Sequence, residues 1–317
     1  MKGLELSRAY YDEYGKIMLQ DSFGEILPLI SVGMAGAGSE CYGYDDTFST
    51  DHDFEPGFGI FIPGEDVIDR KTAFALERAY AKLPREFMGF KRSYMLPVGG
   101  ARHGVIRNDD FFIGKTGFTA SQIIGGLSFD EWLSIPSYAL LEATNGELFS
   151  ETVTEFTKAR ETLEKMPEDV KLKKLAGHLL LMAQSGQYNY PRILKHGETG
   201  AAQMAVFEFV KAVLQVTFLL NDRYMPYYKW SFRALRELNS LSELAGPLEE
   251  LLTTDNSDVN AFDKYETIEG ISGMIISELL IKKLTQADCG DLEKHAYSVN
   301  DMIQDSGLRN KNILYAV

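Results

Sequence analysis

A glycine-serine turn followed by two carboxylates is the feature of this chain best suited to chemistry. Eleven residues separate Ser39 from Asp51, and a single residue separates Asp51 from Asp53. Backbone N–H groups at a tight glycine turn, here Gly38, can surround phosphate oxygens, and the serine hydroxyl can donate to them. Paired carboxylates repel each other unless a cation lies between them, and oxygen ligands suit Mg²⁺. The pattern predicts a site for a nucleoside triphosphate and magnesium.

The apolar segments beside these residues are expected to form two strands that position them. Residues 27–34 form a short apolar run, and the run over residues 51–62 begins polar and becomes apolar. Because side chains alternate along a strand, Asp51 and Asp53 should share one face. His52 should point to the other face, where a packed imidazole is favoured over a metal ligand.

Residues 38–53 resemble the signature of the DNA-polymerase-β-like nucleotidyltransferases, which is a Gly-Ser pair followed at this spacing by Asp-x-Asp. That superfamily includes antibiotic nucleotidyltransferases of the kanamycin and lincosamide types. The full string over residues 38–53, and a second string over residues 220–230, resemble a bacterial branch catalogued mainly as a domain of unknown function. Together the resemblances extend over most of the chain.

The resemblance implies a reaction and a role for each matching residue. Asp51 and Asp53 would be the catalytic residues and would hold Mg²⁺. Gly38 and Ser39 would bind the triphosphate of ATP or another nucleoside triphosphate. Lys229, in the second string, would neutralise the triphosphate, although a solvated lysine is the structural alternative. A nucleoside monophosphate, AMP in the case of ATP, would move to an acceptor hydroxyl while pyrophosphate leaves.

A third carboxylate is usual in the superfamily as a metal ligand or general base, and this sequence departs from that pattern. The expected strand over residues 104–108 contains no acidic residue. Asp109 and Asp110 follow it directly, and Glu208 could act as base, as in the kanamycin-type enzymes. These three candidates stay open. The lack of an acidic residue in this expected strand is also compatible with one-metal chemistry, or with a non-catalytic nucleotide-binding or partner-regulating module.

Other residues near the two strings have both structural and functional interpretations. Glu40 and Asp45 match acidic positions of the family string and could shape the metal site, or Asp45 could cap the turn at Gly43. Residues 195–198, Lys-His-Gly-Glu, are a candidate substrate contact. Three aromatic residues of the second string could stack on the base or pack against apolar neighbours: Tyr224, Tyr227 and Tyr228.

Hydrophobic periodicity predicts an α+β protein with two domains. Residues 1–125 mix strands and helices and are expected to form a nucleotidyltransferase domain with a small mixed sheet. Residues 126–317 lack strand patterns and are expected to form a helical bundle, with the active site in the cleft between the domains. Helices are predicted over residues 4–19, 69–83, 153–165, 171–184, 201–220, 229–241, 259–284 and 292–304.

Charge and composition narrow the expected partners. The net charge of −14 disfavours a nucleic acid and favours a small, cationic acceptor, with protein or RNA acceptors as alternatives. No apolar run approaches the roughly 20 residues of a membrane helix. The chain contains two cysteines and begins without a signal-peptide layout, which together favour a cytoplasmic protein. A homodimer stays an alternative.

Overall fold

The computed structural model of this protein is α+β, as the sequence predicts, and divides into two compact units. The first unit contains residues 1–128 and 135–165, and the second contains residues 129–134 and 166–317. Whether these units are independent domains with a boundary at residue 125 stays a prediction. The structure describes the following residues: 1–46, 54–92, 103–150 and 152–317.

A four-stranded mixed sheet forms the centre of the first unit, in the order β5-β2-β1-β6. Strand β1 pairs antiparallel with β2 and β6, whereas β2 pairs parallel with β5. Strands β3 and β4 form a separate hairpin. The strands have these bounds: β1 Ser31–Met34, β2 Gly59–Ile62, β3 Glu86–Phe87, β4 Phe90–Lys91, β5 Gly104–Arg107 and β6 Glu147–Leu148.

Both predicted strands beside the glycine-serine turn are shorter than expected. Residues 24–29 form a 3₁₀ helix that contains Pro28, and β1 begins only at Ser31. Proline has no N–H to donate to a sheet, so the apolar run before β1 cannot serve as a central strand throughout. Within the described residues, the second predicted strand starts at Gly59.

The remaining chain is largely helical. A π-helical turn, Tyr11–Gly15, joins α1 to α2, and a longer π-helical segment, Ala183–Asn189, joins α10 to α11. The helices have these bounds: α1 Gly3–Tyr10, α2 Lys16–Phe23, α3 Ser39–Tyr42, α4 Arg70–Ala81, α5 Asn108–Thr116, α6 Ala120–Gly125, α7 Phe129–Ser134, α8 Ser137–Thr144, α9 Glu155–Leu163, α10 Glu168–Met182, α11 Tyr190–Lys195, α12 Thr199–Leu220, α13 Tyr228–Leu235, α14 Ala245–Thr253, α15 Asp258–Ile281, α16 Leu292–Asp301 and α17 Ser306–Arg309.

Alternation along β2 gives the first unit apolar cores on both faces of the sheet. Ile60 and Ile62 belong to a buried cluster with residues of α1 and α4, such as Leu6 and Leu76. Phe61 points to the other face, where its ring stacks on Phe156 with centroids 3.9 Å apart. Helices therefore cover both faces of this sheet, and the loop after β1 is held between fixed elements.

Helix α12 forms the apolar centre of the second unit. The helix predicted over residues 201–220 corresponds to α12, and its apolar side chains are buried, with Val206, Phe209 and Val213 fully inaccessible. The expectation that no apolar run approaches the length of a membrane helix is wrong for α12, whose 22 residues are long and apolar enough to cross a membrane by length and composition. Of its most apolar 18-residue stretch, 61% is buried inside the structure. A buried core helix meets the same criteria, because an all-round apolar helix is expected there as well.

Candidate functional site

Gly38 and Ser39 lie at the start of α3, directly after the loop that follows β1. The amide of Tyr42 donates to the Gly38 carbonyl at 3.2 Å, and Ser39 Oγ lies 3.5 Å from Glu40 Oε2. A Cβ at Gly38 would stand 2.3 Å from Glu40 Oε1, so a side chain at this position would displace the Glu40 carboxylate. The glycine therefore leaves room for this carboxylate at the start of α3.

The loop between β1 and α3 is held by the side chain of Asn145. The Gly36 amide donates to Asn145 Oδ1 at 2.9 Å, and Asn145 Nδ2 donates to the Gly36 carbonyl at 2.9 Å. Gly36 has φ of +113°, a backbone conformation that strongly favours glycine. A paired amide of this kind fixes the loop backbone without help from a ligand. No local pattern indicates this role of Asn145, because Asn145 lies 109 residues after Gly36 in the chain.

A lysine, a glutamate and a tyrosine form a linked group beside this loop. Lys115 Nζ donates to Glu142 Oε2 at 2.6 Å, and the Tyr42 hydroxyl donates to Glu142 Oε1 at 3.1 Å. The side chains of Lys115 and Glu142 are 22% and 11% exposed. Burial, followed by the charge of Glu142, raises the pKa of Tyr42 far above its usual range. The tyrosine therefore stays a neutral hydrogen-bond donor.

A cavity of about 510 Å³ lies against the loop, a volume suited to a small organic ligand. Arg107 in its wall donates to the carbonyls of Pro63 at 2.6 Å and Ile68 at 2.8 Å, so its guanidinium is engaged by the backbone. The cavity is lined by three loop residues, the end of β2, and residues of α4, β5 and α5: Ala35, Gly36, Ala37, Ile62, Ala73, Glu77, Val105, Ile106, Arg107, Asp110, Phe111, Gly114 and Lys115.

Asp51 and Asp53, the predicted catalytic and metal-binding residues, lie outside the described residues, as does His52. Their roles, and the magnesium ion, stay predictions. In the described part of the chain, no group of three or more His, Cys, Asp or Glu side chains is placed to hold a metal ion. The nearest described acid in sequence is Glu55, whose Oε1 lies 3.2 Å from His103 Nδ1.

The three candidates for a third carboxylate have different surroundings. Asp109 Oδ1 accepts from the amide of Ala120 at 2.9 Å, at the start of α6. Asp110 is exposed and lines the cavity beside the loop. Glu208 lies on α12 of the second unit, where Lys211 Nζ donates to it at 3.1 Å. Asp110 is thus the candidate that borders the same cavity as the loop.

Asp45, which had structural and functional interpretations of equal weight, anchors the beginning of the chain. Its Oδ2 accepts from the Gly3 amide at 2.7 Å, and Lys2 Nζ lies 3.4 Å from Oδ1. Lys2 also donates to the Asp45 carbonyl at 2.6 Å. These contacts give the buried carboxylate a structural role at the end of the turn.

Lys229 lies in the first turn of α13, in the second unit, and is exposed. Its Nζ stands 4.9 Å from the centre of the Trp230 ring, a cation–π distance. Tyr227 and Tyr228 are 45% and 71% exposed, and their ring centroids are 4.4 Å apart. The exposed ammonium group of Lys229 can be reached by a ligand. Its role in neutralising a triphosphate stays a prediction.

Gly197, in the Lys-His-Gly-Glu turn, has φ of +76° and joins α11 to α12. A left-handed glycine after a helix end is a common way to terminate it. The turn therefore has a local structural reason for its glycine, and its proposed contact with substrate stays a prediction.

A second cavity, of about 780 Å³, lies in the second unit beside the π-helical segment. It is lined by that segment and by the carboxylates of Glu269, Asp291 and Glu293. Gln187 fixes its wall by donating to Glu269 Oε2 at 2.9 Å and to the Gly290 carbonyl at 3.0 Å. The sequence did not indicate this cavity, because a π-helical segment of 7 residues is too short for its period to be told from that of an α-helix.

Comparison with known proteins gives one partial match. The profile of a family described as a domain of unknown function, DUF4037, matches residues 132–231. This segment extends from α7 into α13 and includes Lys229, but not the glycine-serine turn. No curated protein and no solved structure matches the chain. The resemblance to a family of unknown function is therefore supported over this segment.

Proposed function

We propose that this protein is a Mg²⁺-dependent nucleotidyltransferase. It would transfer a nucleoside monophosphate, AMP when ATP is the donor, to a hydroxyl of a small acceptor. The observation that supports this proposal is the loop between β1 and α3, whose residues Ala35–Ala37 line a cavity of about 510 Å³ and lead directly into Gly38 and Ser39. The sequence spacing from Ser39 to Asp51 adds the second half of the expected site.

The proposed reaction uses the chain's own residues to bind and orient the donor. Amides of the loop and the Ser39 hydroxyl would contact the β- and γ-phosphates, while Asp51 and Asp53 would hold Mg²⁺ through their oxygens. When bound, this ion offsets negative charge on the attacking and leaving oxygens. The acceptor oxygen forms a bond to the α-phosphorus as the bond from that phosphorus to the β-phosphate oxygen breaks. Pyrophosphate carries away the leaving electron pair, and the hydroxyl proton passes to a base.

Of the three predicted candidates for a third carboxylate, Asp110 is the best supported as that base or as a further metal ligand. It is exposed and borders the cavity, whereas Asp109 accepts a hydrogen bond at the start of α6. Lys229, which is exposed, is the predicted source of positive charge for the triphosphate. The net charge of −14 supports a cationic small acceptor over a nucleic acid. A protein acceptor stays the alternative substrate class.

The alternative function is a nucleotide-binding or partner-regulating module that does not turn over nucleotide. The observation favouring it is that none of the four residues of β5, Gly104–Arg107, is acidic. A strand beside β2 is where a third carboxylate would be expected. Binding of ATP with no pyrophosphate release from any acceptor would support this alternative.

Calorimetric titration of ATP with Mg²⁺ tests the proposed donor site. The wild type should bind, and Asp51→Ala/Asp53→Ala should lose affinity by about tenfold or more, equivalent to about 1.4 kcal/mol. The matched control is Asp12→Ala/Asp21→Ala, which removes two exposed carboxylates of the same unit and should bind as the wild type does. Equal binding by wild type and Asp51→Ala/Asp53→Ala would contradict the proposed site.

A further inference from the structure

We infer that Lys115 binds the terminal phosphates of the nucleotide and that Glu142 is the counter-ion that holds this lysine until the nucleotide arrives. The inference rests on the proposed function and adds a residue that the sequence pattern did not identify. It is carried by the position of Lys115 relative to Gly36, Glu142 and the cavity.

Lys115 lies at the cavity wall on the same side as the loop. A Cβ placed on Gly36 would stand 3.7 Å from Lys115 Cε and 3.8 Å from its Nζ. The end of the Lys115 side chain therefore lies beside the loop that leads into Gly38 and Ser39. Because Gly36 has no side chain, phosphate oxygens can approach the loop backbone and the ammonium group together.

Lys115 can leave its present partner, Glu142, without leaving that carboxylate unpaired. Glu142 accepts from Lys115 at 2.6 Å and, through its other oxygen, from Tyr42 at 3.1 Å. A carboxylate that lost its only partner would be costly to leave buried. Here the tyrosine hydroxyl stays bound to Glu142, and the raised pKa of Tyr42 keeps that hydroxyl protonated. Lysine carries its charge on a flexible stem, so it can turn to a phosphate while remaining near the carboxylate.

A purely structural ion pair makes different predictions from a phosphate-binding lysine. If Lys115 contacts the β- and γ-phosphates, its removal should weaken MgATP and MgADP binding but leave AMP binding nearly unchanged. Glu142→Gln would keep the lysine and remove its competitor, so MgATP affinity should be equal to that of wild type or higher. A structural pair would instead make both substitutions weaken all three nucleotides to a similar extent.

The experiment is calorimetric titration of MgATP, MgADP and AMP into the wild type, Lys115→Gln, Glu142→Gln and the control Lys16→Gln. Lys16 is an exposed lysine of the same unit. Lys115→Gln should weaken MgATP binding about tenfold, the scale of one charge-assisted phosphate contact, and AMP binding less than about twofold. Lys115→Arg should restore most of the affinity for MgATP.

If Lys115→Gln does not fold, Lys115→Gln/Glu142→Gln replaces the ion pair with two amides of similar shape, and the same loss of MgATP affinity is expected. Binding of MgATP by a folded Lys115 variant at wild-type strength would overturn the inference, as would equal losses for Lys115→Gln and Glu142→Gln. Failure of the wild type to bind MgATP would instead overturn the proposed function on which the inference rests.

Discussion

Substitution of Gly186 by alanine should destabilise the second unit by introducing a methyl group where no space exists. Gly186 lies in the π-helical segment Ala183–Asn189. A Cβ at this position would stand 2.4 Å from Phe209 Cδ2 and 2.8 Å from Ile268 Cγ2. Phe209 and Ile268 are both fully buried, so neither can rotate away without disturbing its own neighbours.

The magnitude follows from two opposing effects. Overpacking of a dense core costs about 1–3 kcal/mol, and the 2.4 Å approach to the Phe209 ring puts this site in the upper part of that range, at about 2–3 kcal/mol. Alanine in a helix is favoured over glycine by about 1 kcal/mol, which offsets part of this cost. We expect a net loss of about 1–2 kcal/mol in the free energy of unfolding. For a unit of this size, each kcal/mol corresponds to about 2–4 °C in the midpoint of thermal unfolding, which gives a decrease of about 2–8 °C.

Thermal and urea unfolding of Gly186→Ala measure this effect, with Gly273→Ala as the matched control. Gly273 lies in α15, is exposed, and has no atom within 4 Å of its Cβ position. Alanine at Gly273 should be neutral or stabilise by up to about 1 kcal/mol. The packing argument would be refuted if Gly186→Ala unfolded at the wild-type midpoint or above it, or if Gly273→Ala were equally destabilising.

Three further predictions concern the loop, protonation and the second unit. Asn145→Ala removes both hydrogen bonds to Gly36 and should cost about 1–3 kcal/mol in urea unfolding; a loss below about 0.5 kcal/mol would contradict the anchoring role. Burial and two nearby lysines lower the pKa of His178 from 6.5 to about 3, so between these values the unfolded chain binds a proton that the folded chain does not. Stability should therefore fall from pH 7 to pH 4, by up to about 1.4 kcal/mol per pH unit, and His178→Gln should flatten this dependence; identical pH profiles would refute it. Lys229→Gln should reduce MgATP affinity by about tenfold in calorimetry if the lysine contacts phosphate, and unchanged affinity would remove it from the site.

Local patterns were sufficient to predict several elements. Helix α4 was expected over residues 69–83 and occupies residues 70–81. Asp69 begins it by accepting from the Thr72 amide at 2.7 Å, a signal readable from sequence. The helix predicted over residues 201–220 matches α12, Thr199–Leu220, because a long apolar helical pattern must be buried.

Elements that depend on distant contacts could not be predicted. The helix expected over residues 229–241 ends at Leu235. The π-helical segment Ala183–Asn189 continues the chain helically beyond residue 184, where the predicted helix ends. Tyr42 and Glu142 are 100 residues apart in sequence, so neither residue type nor spacing indicates that Glu142 accepts from both Tyr42 and Lys115. Local sequence patterns indicate where helices and strands form. The side-chain contacts beside the loop between β1 and α3 form only when α5 and α8 pack next to it.

The fate of the phosphates of ATP is the most direct test of the central claim. The protein would be incubated with Mg²⁺, a cellular small-molecule fraction, and ATP labelled on either the α- or the γ-phosphate. A nucleotidyltransferase transfers the α-label to an acceptor and releases the γ-label as pyrophosphate, and Asp51→Ala/Asp53→Ala should do neither. Transfer of the γ-label, or transfer of the α-label that persists in Asp51→Ala/Asp53→Ala, would contradict the account.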